Sequence, residues 1–342
     1  MIDRHVTEKI ASRLFSKIPV SIWGKLTGTR LLLPYYHVVS DEDILHVKHL
    51  FKYKTISQFT EDVEFLCKYY LPIGLPELLN HLRNGRPLPA KAFLLTFDDG
   101  FRELSDIIAP ILLHKGISAT IFVNSAFTDN KQLCYLNKAS LMVEEFQKGW
   151  SVRLDGRLSE LLLDNKIEFS DVKSGILSVK YQQRGLLDEM ANVMNLNFSE
   201  YLLSKKPYLT ESQIIKLIES GFSIGAHSID HPLYSSLTLE DQINQTIQSV
   251  KFVRDKFHLS YGAFAFPHSD HNVSREFFAR IVDSGLVDVS FGTYGLMGES
   301  ISNHLQRFSL EKPIDSAKNI IAFQYARKLI KLVTRTSLIV RK

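Results

Sequence analysis

Two short apolar runs, each breaking directly into side chains that bind metal ions, constrain this 342-residue chain more than any other feature. Lys91 to Phe97 reads Lys-Ala-Phe-Leu-Leu-Thr-Phe and runs into Asp98-Asp99-Gly100. Gly221 to Ala226 reads Gly-Phe-Ser-Ile-Gly-Ala and runs into His227-Ser228-Ile229-Asp230-His231, with Pro232 next. Brief apolar segments without alternation, bounded by turn residues, suit strands buried on both faces of a parallel sheet. Pro232 argues that the second string lies on a loop rather than inside a helix. Parallel α/β sheets and barrels gather their functional groups where strands end, so distant loops converge there.

The chemistry carried by those ends is specific. One Asp and two His can hold a divalent ion with coordination positions left open. Such an ion polarises an acyl oxygen and lowers the pKa of a water to about 7. A second carboxylate can take that water's proton. Alone, an Asp-Asp-Gly after a strand is commonly a turn; the two strings together are far more restrictive.

The pair of strings resembles the polysaccharide deacetylase family of carbohydrate esterases, over roughly Leu31 to Leu310. The resemblance implies a distorted (β/α) barrel of about seven parallel strands. It assigns Asp99, His227 and His231 as metal ligands and Asp98 as the base. A third segment, Tyr261 to His268, is similar to the family's strand ending in Pro, after which a backbone N–H helps bind the oxyanion; His268 stands where Tyr is usual. No Arg precedes Pro267, where many members carry one to orient the base. Arg307 is a candidate substitute.

An amide nitrogen leaves a tetrahedral intermediate poorly unless protonated, so an acid titrating near neutrality is needed. His37, after the run Arg30 to Tyr36, is the expected acid. Its setting is similar to the Tyr-His start of deacetylases acting on poly-N-acetylglucosamine. The expected function is metal-dependent removal of N-acetyl groups from an amino-sugar polysaccharide, oligosaccharide or lipid-linked glycan. O-acetyl or N-formyl sugar hydrolysis on the same centre, and a glycan-binding protein without turnover, remain open. Zinc is the default ion; nickel, cobalt or iron suit the same ligands. Asp230, between the two His, is a candidate for supporting the ligands. His268, Asp270 and His271 read as a solvated polar loop, with lining a sugar groove or adding a ligand as the alternatives.

Charge is concentrated at the ends. Residues 1–30 hold six Lys/Arg against two acids, and 327–342 hold six against none, so the chain between them is net acidic although the whole is +4. Both ends alternate basic with bulky apolar residues, as in Ile10 to Trp23 and Arg327 to Val333. That pattern suits helices packed on the barrel with a solvated face, the favoured reading, and also peripheral contact with an anionic membrane. No nucleic-acid reader motif accompanies the charge.

The expected organisation is a basic arm (1–30), a catalytic domain (31–310) and a basic C-terminal helix (311–342). A helical insertion, 129–206, is placed to wall the cleft or to serve packing or oligomerisation. Cys67 and Cys134 are too few for a disulfide framework and read as free thiols. No apolar stretch reaches spanning length and no signal core opens the chain, so a cytoplasmic protein is expected, with peripheral contact at the inner face of the membrane as an alternative left open by the basic ends. Helices are expected at Ile56–Tyr70, Leu75–Leu82, Asp106–His114, Ala139–Gln147, Val179–Met194 and Glu211–Ser220, the last opened by a Thr210/Gln213 capping box.

Overall fold

The computed structural model describes Phe15 and residues 17–342. The first fourteen residues and Ser16 lie outside the described residues, and with them half of the expected basic arm.

Eight parallel strands form the main sheet. They are β1 (Pro34–Tyr36), β2 (Leu95–Phe97), β3 (Ala119–Val123), β4 (Ser223–Ala226), β5 (Ala263–Ala265), β6 (Val289–Gly292), β7 (His304–Gln306) and β8 (Phe308–Ser309). Their spatial order is β7-β6-β5-β4-β3-β2-β1-β8. β7 pairs with β6 at one edge and β8 with β1 at the other, and only Arg307 separates them in the chain. One interrupted strand therefore bridges the two edges, which reconciles eight strands with the expectation of about seven stations around a distorted barrel. The Arg307 backbone is held at the seam, its N–H donating to Gly292 and its carbonyl accepting from Gly295.

The apolar run Lys91 to Phe97 is divided rather than continuous. Ala92–Phe93 leaves the barrel to pair with Leu31–Leu32 and Leu71–Pro72 in a small three-stranded sheet. The helix Leu75–Asn84 packs below, and its Leu75, Leu78 and Leu79 join Leu33, Leu94, Phe122, Ala265 and Phe291 in a buried apolar cluster. A larger core lies between the strands and the outer helices.

Local signals set the helices. Thr55 with Gln58 caps Ile56–Tyr69, and Thr210 with Gln213 caps Glu211–Glu219, each by a reciprocal box that satisfies amides left open at a helix start. The expected helix Val179–Met194 begins only at Gly185. Before it Tyr181–Gln183 forms one tight turn, with the Tyr181 hydroxyl donating to Asp230 at 2.7 Å. The span 129–206 holds five α-helices, from Tyr135–Lys148 to Phe198–Lys205, around a separate core of Met142, Leu158, Ile176, Leu187 and Met190 that also takes in Val38, Val47 and Phe101. Val38 and Phe101 follow the ends of β1 and β2, so the helical unit sits on the loop side of the barrel.

Helix Val20–Thr27 packs on the C-terminal helix Ala317–Val333, with Trp23 stacked on Tyr325. The first turns of the C-terminal helix are buried through Ile320, Ile321 and Tyr325, whereas Ile330 and Val333 are exposed. After it, Leu338–Ile339 pairs with Gly298–Glu299 and carries Arg341 into the protein. No helix among the described residues is long and apolar enough to cross a membrane. Both cysteines are unpaired.

Candidate active site

Because all eight strands run the same way, the residues after β1, β2, β4 and β5 meet at one end of the barrel. Asp98 and Asp99 follow β2, His227 follows β4, His37 follows β1, and Pro267-His268 follow β5 by one residue. The chain must bend sharply to present them. Asp99, Ser228, His231 and His268 all have positive φ, between 55° and 70°, a conformation uncommon for residues with a Cβ and typical of functional loops. Gly100 also sits at φ +66°, and a Cβ there would lie 3.0 Å from Val123. The third position of the Asp-Asp-Gly string is therefore restricted to glycine on two counts.

The three expected ligands converge. Asp99 Oδ1 lies 3.1 Å from His231 Nε2 and 3.5 Å from His227 Nε2. His227 Nδ1 is 2.9 Å from the Ala265 carbonyl. That acceptor fixes the proton on Nδ1 and leaves the Nε2 lone pair facing Asp99. Burial pushes the His227 imidazole down to about 4, against the opposing pull of Asp98, so it is neutral, the form that binds a cation. Burial opposes ionisation of Asp99, yet His231, His37 and His227 hold it far below the usual carboxylate range. Its Oδ1 is buried without a hydrogen-bond donor. An orphaned anionic oxygen facing imidazole nitrogens is what a cation site needs, and the donor set fits a divalent ion.

Asp98 is 2% exposed and paired in a fork with Arg307, Nη1 to Oδ1 at 2.7 Å and Nη2 to Oδ2 at 2.8 Å. Arg307 has no exposure, also donates to Thr96, and lies over the rings of Tyr35 and Phe122. Burial would raise the Asp98 carboxyl, but Arg307 and His227 keep it below its ordinary value. The arginine absent before Pro267 thus has a counterpart entering from the barrel seam.

His37 Nδ1 lies 2.5 Å from Glu311 Oε2. The other oxygen of Glu311 accepts the backbone N–H groups of His37 and Val38, both at 2.9 Å. Burial alone would lower the imidazole; the Glu311 carboxylate overcomes it and carries the pKa up to about 10, well above the near-neutral titration expected of the acid. Glu311 went unrecognised in the sequence. It lies 274 residues from His37, and its setting, Leu310-Glu311-Lys312-Pro313, carries no motif.

His268 is exposed, its ring edge-on to His231 at 4.5 Å. The Asp230 carboxylate makes no hydrogen bond or ion pair with His227 or His231. It accepts from Tyr181 and from Gln245 at 2.7 Å, and so ties the ligand loop to the helical unit. Asp270 is fully buried, bonded to His304, Gln306 and Arg341. The polar-loop reading thus fails at Asp270, because the C-terminal strand delivers a buried guanidinium to it. His271 pairs with Tyr294 at the surface.

The site forms one end of a cleft of about 1280 Å³ that reaches Asp98, Asp99, His37, His231 and His268. Its walls come from the loop after β1, the helical unit and the segment following β8.

The polysaccharide deacetylase family model matches residues 85–156 and 188–282, which include both ligand strings. The chain carries a polysaccharide deacetylase domain. No curated protein sequence matches it. Among solved structures, the Streptococcus pyogenes deacetylase PplD in complex with acetate aligns over 86% of this chain and 98% of its own, at 14% identity and a TM-score of 0.55. A de-N-acetylase from Aggregatibacter actinomycetemcomitans aligns over 86% and 100%, at 14% and 0.54. IcaB from Ammonifex degensii aligns over 86% and 97%, at 14% and 0.52. At these identities the likeness is one of fold.

Proposed function

We propose that the protein is a metal-dependent hydrolase that removes the N-acetyl group from an amino sugar, and that Asp99, His227 and His231 hold a single divalent ion. The carrying observation is Asp99 Oδ1, buried without a donor and facing two imidazole Nε2 atoms. The family and the de-N-acetylase among its structural relatives support the reaction class. When bound, the ion supplies Lewis acidity at the acyl oxygen and acidity to a water beside it.

The chain's own groups do the rest. Asp98, kept ionised by Arg307, takes a proton from the attacking water. The N–H of His268 donates to the oxyanion as it forms, a strong contribution in acyl transfer. His37, kept protonated by Glu311, gives its proton to the departing nitrogen, so the C–N bond breaks to leave acetate and a free amine. Glu311 holds Nδ1 and leaves Nε2–H for the cleft. Zinc is the first choice of ion.

Metal content and acetate release, measured together, test this. Asp99→Asn should lose bound metal and turnover at once. His37→Ala should keep its metal and lose roughly 10²- to 10⁴-fold in kcat, the usual share of a general acid. Full activity in His37→Ala would remove that residue from the mechanism, and metal-independent acetate release by Asp99→Asn would overturn the reading.

A further inference from the structure

The walls of the cleft are apolar in a way the chemistry at its floor does not require. Leu50 and Phe51 come from the loop after β1, Leu136 and Leu177 from the helical unit, and Ile314 and Phe323 from the C-terminal segment. All six keep solvent contact, and Ile314 is 73% exposed. A glycan brings hydroxyls that need hydrogen-bond partners once desolvated. Four of these six side chains are aliphatic, and none offers a partner.

The apolar lining also leads outward. Phe323, Arg327 and Ile330 fall at i, i+4 and i+7 on the C-terminal helix and so share one face. Phe323 and Arg327 line the cleft, and Ile330 is 58% exposed beyond it. Lys52 and Arg327, both exposed, place two cations on the lining.

We propose that the cleft takes an amphiphilic amino-sugar substrate, with the N-acetyl group at the Asp99–His227–His231 cluster and a hydrocarbon chain between the three apolar walls. The chain continues along the Phe323–Ile330 face, and Lys52 with Arg327 meets an anionic joint between sugar and chain. The sugar end rests on the deacetylase reading; the chain end does not.

The test is calorimetric titration of the full protein with the methyl and octyl phosphodiesters of N-acetylglucosamine, together with acetate release from each and from N-acetylglucosamine oligosaccharides. Each buried methylene should tighten binding about fourfold, so the octyl ester should bind at least about a hundredfold more tightly. Ile314→Asp, on an exposed side chain, and Phe323→Asp should each cut the octyl-to-methyl ratio tenfold or more. Lys52→Ser should weaken both esters. Equal affinity for the two esters, or an octyl preference that survives both apolar substitutions, overturns the proposal. Acetate released equally from both esters and faster from oligosaccharides sinks the chain site and leaves the deacetylase reading intact. An octyl preference with no acetate from any substrate does the reverse.

Discussion

Among the described residues two clusters of three Asp, Glu and His side chains crowd their ligand atoms together, and they are completed in opposite ways. In one, Asp99, His227 and His231 point their ligand atoms at a common space, and Asp99 Oδ1 has no donor. In the other, Asp270, Glu299 and His304 are as close together, but Arg341 donates to both carboxylates, to Glu299 at 2.7 Å, and His304 Nε2 lies 2.9 Å from Asp270. The residue types are nearly the same. What separates a candidate metal centre from a structural knot is whether the chain brings its own cation, and the last strand brings one to only one of them.

Removing that cation is the strongest test of the comparison. In Arg341→Ala two buried carboxylates lose their guanidinium, and stability should fall by about 3–5 kcal/mol, read from the denaturant midpoint at unchanged slope. The emptied group should then take up a second divalent ion, seen as a second equivalent in metal analysis and as recovery of the midpoint when zinc is added. A wild-type chain that already binds two ions, or an Arg341→Ala chain that binds no more than wild type, breaks the contrast.

Arg307→Met asks the same of the candidate catalytic end. It strands Asp98 inside the barrel, at a cost of up to about 3–5 kcal/mol. Arg307 keeps the Asp98 carboxyl below its ordinary value, so their pairing stabilises the fold at neutral pH and is lost as pH falls through that lowered pKa. Without Arg307 the carboxyl rises, and the acid limb of the pH–rate profile should move to higher pH. An unmoved acid limb would separate Asp98 from the proton transfer.

The sequence carried the parts of the site that are encoded locally. Asp98, Asp99, His227 and His231 sit in strings whose spacing and flanking strands can be read from the residues themselves, as can the capping boxes at Thr55 and Thr210. Partners supplied from far along the chain were legible only in part. Arg307 could be named as a candidate, but that its side chain enters the barrel follows from the seam between β7 and β8, which no local periodicity shows. Glu311 and Arg341 are single charged residues in unremarkable settings, and their roles exist only once the C-terminal segment closes over the strand ends. Asp270 was misread for the same reason: a polar residue near a proline looks solvated until a distant arginine is folded onto it.

The smallest expected effect isolates one such distant partner. Glu311→Gln keeps an oxygen able to accept the His37 and Val38 amides, so the loop should hold its place. Its NH₂ group, turned toward His37 Nδ1, needs an acceptor there and therefore favours the neutral imidazole. The native pair puts the His37 pKa at about 10, so its stabilising contribution is present below the unfolded histidine value and is lost as pH rises through about 10. In Glu311→Gln the pKa should drop toward the ordinary histidine range, bringing the alkaline limb of kcat down with it. Near pH 6 the variant and the wild type should differ by less than about threefold, and near pH 9 by about tenfold or more, because only the wild type still holds its proton there. Coincident alkaline limbs would mean that the proton reaching the leaving nitrogen does not come from His37.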